Sequence, residues 1–211
     1  MAFELTDMEG ELLVRLAREA ISHFLVKGRK IPVPDGLSEK LGQKCGVFVT
    51  LNGVREGVPE LRGCIGYTQP VLPLAEATVE SAINAATGDP RFPRVSLEEL
   101  KYIVIEVSVL TPPSLIEVDS PSEYPKRIEI GRDGLIIERG PFYGILLPQV
   151  PVEWGWDEEE FLSNCCMKAG LAPDMWAVEG TKVYKFQAII FAEKEPSGEI
   201  TRKKLTERES R

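Results

Sequence analysis

Within residues 61–67, Leu61-Arg62-Gly63-Cys64-Ile65-Gly66-Tyr67, a guanidinium and a thiol sit among glycines and apolar side chains. Read as an extended strand, the segment sends Arg62 and Cys64 to the same face. A guanidinium beside a thiol favours the thiolate, the form that acts as nucleophile or metal ligand. Gly63 and Gly66 lack a Cβ, so a ligand or a second stretch of backbone can come close. Glu106 is a carboxylate among apolar neighbours, and burying it requires a cationic partner or a proton. Arg62 and Arg91 are the expected partners. Asp89-Pro90-Arg91-Phe92-Pro93 fixes a carboxylate, a guanidinium and a ring between two prolines that set φ. Gln149 is pinned between Pro148 and Pro151. Each group also has a plain structural reading: Cys64 as an inert core thiol, Asp89–Arg91 as a turn ion pair, Gln149 as a solvated loop amide.

The remaining composition narrows the chemistry. The chain has 211 residues, 43% hydrophobic and 27% charged, which suits a soluble globular protein with a core of its own. A net charge of −8 argues against general binding to a phosphate backbone, while leaving room for a local basic pocket at Arg62 or Arg91. No apolar run reaches membrane-spanning length, and the acidic start, Met1 to Asp7, does not read as a signal peptide; a cytoplasmic protein is expected. The four cysteines include no C-x-x-C pair and His23 is the lone histidine, so no structural zinc site is expected and the thiols are read as reduced. Walker, G-x-G-x-x-G, G-x-S-x-G and H-E-x-x-H motifs are missing. No cofactor is indicated. Scarce Asn and Gln against plentiful Glu, Lys and Arg give a thermophile-like composition.

The elements that must position these residues are readable in outline. Thr6-Asp7-Met8-Glu9 is a capping box opening a helix to about residue 27, with Leu13, Leu16, Ala17, Ala20 and Ile21 on its apolar face. Residues 45–51 form a strand, Asn52-Gly53 signals a turn, and the Cys64 strand follows as the second arm of a hairpin. Residues 72–86 return to helix with a stripe of small side chains, Ala75, Val79, Ala82 and Ala86. Residues 102–110 alternate as a strand with Glu106 at its middle. A hairpin is expected between residues 128–130 and 135–138, with a third strand at 144–147. Asp157 caps a further helix in which Cys165 and Cys166 read as core, and residues 183–191 form a last strand. From residue 194 the chain is charged and without apolar period, so a mobile tail, 194–211, is expected to follow a body of 1–193.

Leu61-Arg62-Gly63-Cys64-Ile65-Gly66 resembles the hallmark hexapeptide, LRGCIG, of the AMMECR family. Cys45-Gly46-Val47-Phe48-Val49, Asp89-Pro90-Arg91-Phe92, the Glu106 strand, Leu147-Pro148-Gln149-Val150 and Lys168-Ala169-Gly170-Leu171 fit the same family in order. The likeness is to stand-alone archaeal or bacterial members and covers nearly everything before the tail. It implies an α+β fold of two subdomains, antiparallel or mixed sheets flanked by helices, with the hexapeptide near their junction. It also implies a modification pathway shared with Memo-like and radical-SAM proteins, without naming a reaction.

Three functions follow as expectations. In the first, an enzyme or enzyme subunit uses Cys64 as nucleophile, Arg62 as thiolate stabiliser or anion clamp, and Glu106 as proton carrier or orienter on a small or peptide-borne substrate. Gly63, Gly66, Asp89, Arg91, Phe92 and Gln149 would line its ligand site. In the second the chain is a noncatalytic protein-interaction adaptor, and in the third it binds a nucleotide or RNA locally through Arg62 and Arg91.

Overall fold

The computed structural model describes residues 3–55 and 58–203. In chain order its elements are α1 (Asp7–Lys27), α2 (Glu39–Gly42), β1 (Gly46–Arg55), β2 (Val58–Tyr67), α3 (Leu74–Thr87), β3 (Ile103–Leu110), β4 (Ser114–Leu115), β5 (Asp133–Arg139), β6 (Phe142–Leu146), α4 (Gln149–Trp154), α5 (Glu158–Lys168), β7 (Lys182–Glu193) and β8 (Ile200–Lys203). The fold is α+β, and the strand pairs described below are all antiparallel. The chain divides into two compact units, residues 3–110 with 189–203, and residues 111–188.

The first unit carries the hexapeptide on β2. Its sheet runs β2-β1-β3, with β2 at the open edge. The last residues of β7 lie beside β3, where Glu193 accepts the Ile105 N–H, and β8 pairs on β7. Alternation along β1 and β3 sends Val47, Val49, Leu51, Ile103, Ile105 and Val107 to one face, all fully buried against α1 and α3. The capping box of α1 forms as its sequence requires: the Thr6 hydroxyl accepts the Glu9 N–H and Glu9 accepts the Thr6 N–H. Small side chains along α3 let that helix lie close, and Gly63 completes the fit, since a Cβ there would strike the Ala85 carbonyl. The opposite face of this sheet carries Phe48, Thr50, Cys64, Gly66, Glu106 and Ser108.

The second unit is smaller. β5 pairs with β6 on one side and with β7 on the other, and β4 adds to the far side of β7. α5 closes its core, burying Phe161, Leu162, Cys165 and Cys166 with Leu135, Ile137 and Val183.

Three expectations need correction. The Asn52-Gly53 turn does not form: β1 continues to Arg55, because Asn52 and Gly53 pair with Leu61 and Glu60 in the ladder. Residues 128–130 are no strand; the Glu129 N–H is taken by the Asp133 carboxylate in a tight turn, and β5 begins at Asp133 instead. Residues 200–203 of the expected tail form a strand, β8, that pairs Ile190 to Glu193, with Arg202 held over the Phe191 ring and hydrogen-bonded to Asp7. An edge strand needs only backbone partners, so its polar side chains hid it. Residues 204–211 of the expected tail lie outside the described residues. No described helix is long and apolar enough to cross a membrane.

Candidate functional site

The geometry of the hexapeptide turns on a β-bulge. Leu51 pairs with Gly63 and Asn52 with Leu61, so Arg62 is an extra residue with no partner of its own in the ladder. A bulge places its two residues opposite one on the neighbouring strand and redirects their side chains. Arg62 therefore leaves the Cys64 face and joins Gly63 and Leu51 on the helix side. There its Nε and Nη2 donate to Glu99, at 2.5 and 3.1 Å, and its guanidinium lies 5.9 Å from the centre of the Phe92 ring. With Leu61, Phe92, Glu99, Tyr102 and Val54 it lines a cavity of about 530 Å³, and its Nη1 is buried without a hydrogen-bond partner among the described residues. The expected Arg62–Cys64 couple is thus broken by one inserted residue.

Asp89 and Arg91 do the work at Cys64 that a missing strand would do. The Asp89 carboxylate accepts the Cys64 N–H at 2.9 Å, and the Arg91 guanidinium donates to the Cys64 carbonyl at 3.3 Å. Arg91 also donates to Asp89 from its main-chain N–H, Nε and Nη2. The pair satisfies the open edge of β2 and blocks further pairing at that point. Asp89 is 4% exposed, and the Arg91 guanidinium holds its carboxyl well below the usual carboxylate range, against the effect of burial. The stiff Asp-Pro-Arg-Phe loop is thus a clamp on the backbone of Cys64.

Because the Cys64 N–H and carbonyl point outward, its pairing with Thr50 is of the non-hydrogen-bonded kind, in which facing side chains stand closest. The Thr50 hydroxyl donates to the Cys64 sulfur at 3.2 Å. On the next strand Thr50 pairs with Glu106, so Cys64, Thr50 and Glu106 form one row across β2, β1 and β3. Strand spacing sets Cys64 and Glu106 about 10 Å apart at the backbone, with the short Thr50 side chain as a floor between them. Glu106 is not paired with Arg62 or Arg91, as its strand position had suggested. Its Oε2 accepts from Lys203 Nζ of β8 at 2.8 Å.

The thiol is not activated at rest. Burial pushes the Cys64 thiol up; the Thr50 hydrogen bond and the Arg91 charge pull it back, and the Glu106 and Asp89 charges push it up again. Arg91, rather than Arg62, is the cation that acts on it. Cys64 is nevertheless half-buried, while Cys45, Cys165 and Cys166 are buried.

The other expected residues separate. Gly66 is needed for space, since a Cβ would collide with Phe48 and the Val47 carbonyl. Phe92 meets two cations, with the Arg91 guanidinium 5.4 Å and that of Arg62 5.9 Å from its centre. Gln149 belongs to the second unit, at the start of α4, where its Oε1 is buried without a partner among the described residues. Thr50, Glu99 and Lys203 were missed. Alternation from Phe48 would have put Thr50 on the Cys64 face once the two strands were paired. Nothing local marks Lys203. Among the described residues no group of three or more His, Cys, Asp or Glu side chains is placed to hold a metal.

The AMMECR1 family model matches residues 14–191. Protein PH0010 of Pyrococcus horikoshii is 58% identical over 208 residues, covering 97% of this chain and all of that protein. Protein MJ0810 of Methanocaldococcus jannaschii is 56% identical, covering 95% of this chain and 98% of its own. The crystal structure of the uncharacterized PH0010 protein superposes with a TM-score of 0.87 at 56% identity, over 96% of this chain and 100% of that one. With a family model spanning most of its length and relatives this similar from end to end, the chain belongs to the AMMECR1 family.

Proposed function

We propose that the chain is a thiol-dependent group-transfer enzyme, or a subunit of one, in which Cys64 takes an acyl group from an activated substrate. The observation that carries this reading is the row Cys64–Thr50–Glu106 on the helix-free face of the first unit. A nucleophile and a carboxylate whose backbones stand about 10 Å apart, with only a small hydroxyl between them, leave room to grip a substrate. Thr50 orients the sulfur, and the Asp89–Arg91 clamp fixes the backbone beneath it. The resting thiol is neutral, which protects it from oxidants and leaves activation to the bound substrate. In the step itself the sulfur bonds to the carbonyl carbon, the bond to the leaving group breaks, and the thiol proton passes to the departing group. Arg62 takes no part at the sulfur; it braces the bulge through Glu99.

p-Nitrophenyl acetate tests this. The expected result is release of about one equivalent of nitrophenolate with an acetyl group mapped to Cys64, lost in Cys64→Ser. Acetylation spread evenly over the four cysteines, or none at Cys64, overturns the reading.

A further inference from the structure

The group that occupies Glu106 is itself a clue to the substrate. Glu106 has a side chain only 14% exposed, and along β3 it is flanked by buried Val104 and Ser108. A carboxylate in that setting requires a cation. The cation comes from Lys203, 97 residues away in sequence, whose ammonium sits 2.8 Å from Glu106 Oε2 while half of its side chain remains exposed. Lys203 ends β8, a four-residue strand that pairs with β7. With about half of that side chain in water, the ammonium can leave the carboxylate by rotating about its own bonds while β8 stays in place. Glu106 is therefore a preformed seat for a primary ammonium, in the same row as Cys64, and its present occupant is tethered and replaceable.

We infer that Glu106 recognises a primary amine, such as one end of a diamine, and that Lys203 holds the seat as an intramolecular stand-in. The use made of that amine rests on the thiol-transfer reading above: it is the acceptor of the group carried by Cys64. Glu106 and Cys64 stand in one row across β3, β1 and β2, so an amine that binds the carboxylate through one end and extends along that row can reach an acyl carbon on Cys64. The nitrogen at its other end, in the uncharged form, bonds to the carbonyl carbon. The carbon–sulfur bond breaks, one N–H proton passes to the sulfur, and the thiol is restored.

Cadaverine binding, measured by calorimetry on the intact chain, tests the seat without any acyl chemistry. Lys203→Met keeps the apolar stem and removes the competitor. If Lys203 fills the seat about nine-tenths of the time, the variant binds cadaverine about tenfold more tightly than the wild type. Glu106→Gln abolishes binding, and n-pentanol, which lacks the charge, binds to neither. Equal cadaverine affinity in wild type and Lys203→Met, retained binding in Glu106→Gln, or no binding at all overturns the inference and leaves Lys203 as a clasp for β8. A melting curve on each variant separates lost binding from lost fold, and Glu106→Asp, which keeps the charge, is expected to restore part of the affinity. Because the titration does not involve the sulfur, its failure leaves Cys64 acylation standing, and failure of acylation leaves the amine seat standing.

Discussion

Removing the Asp89 carboxylate puts the Cys64 clamp to a quantitative test. Asp89 accepts from the Cys64 N–H and from three donors of Arg91, while only 4% exposed. In Asp89→Ala the Cys64 N–H loses a charged acceptor, a loss of about 1.5–3 kcal/mol. The ion pair with Arg91 adds less than a buried pair would, because the Arg91 side chain is 53% exposed; about 0.5–1 kcal/mol is appropriate after screening. The sum is a destabilisation of about 2–4 kcal/mol. Arg91→Ala should cost only about 1 kcal/mol, and Asp89→Asn should fall between, since its carbonyl can still accept the Cys64 N–H. Guanidinium denaturation at pH 7, with unchanged m-values, measures all three. The pH dependence supplies a second check. The carboxyl is held below its ordinary value in the folded chain, so its contribution is fully present above the ordinary aspartate range and is lost as pH falls towards the depressed value. The gap between wild type and Asp89→Ala should be constant from pH 5 to 8 and should narrow below about pH 4. A gap under 1 kcal/mol at neutral pH, or one that does not narrow in acid, refutes the clamp.

Two further predictions concern buried groups away from the site. Glu193 is 4% exposed, bonded to Arg18 Nε and Nη2 at 2.5 Å and to the Ile105 N–H at 2.9 Å, so Glu193→Leu should cost about 3–5 kcal/mol. Adding Arg18→Met should recover part of that loss in a double-mutant cycle, and strict additivity would show that the two groups do not interact. In the second unit, burial pushes Cys165 up to about 12 and Cys166 up to about 11, while unfolded thiols ionise near their ordinary value. Stability should therefore fall as pH rises from about 8.5 through those values, by up to about 1.4 kcal/mol per pH unit for each thiol. Cys166→Ala should flatten that slope, and an unchanged slope would mean that the loss arises elsewhere.

The parts of this fold that were readable in the sequence are those decided by neighbours along the chain. The capping box of α1 and the alternation of β3 are set within a few residues and formed as expected, and the Asp89–Arg91 ion pair, one of two readings open for that loop, is equally local. The arrangement of the site was less readable, because period-two counting assumes an unbroken ladder. One extra residue opposite Leu51 reverses the parity of β2, which carries Arg62 to the helix side and leaves Cys64 to Thr50 and Arg91. The partner of Glu106 was hidden for a different reason. A carboxylate in an apolar strand announces that it needs a cation, but not which one, and any lysine that topology brings within reach will serve. The charged residues of β8 had looked like a segment with nothing to bury, yet their backbone satisfies β7 and their side chains satisfy Asp7 and Glu106. A polar tail is thus organised by unmet hydrogen bonds and charge in the body rather than by its own hydrophobicity. That is also why the amine seat can be exchanged: Lys203 is held by an edge ladder and one ion pair, with half of its side chain in water.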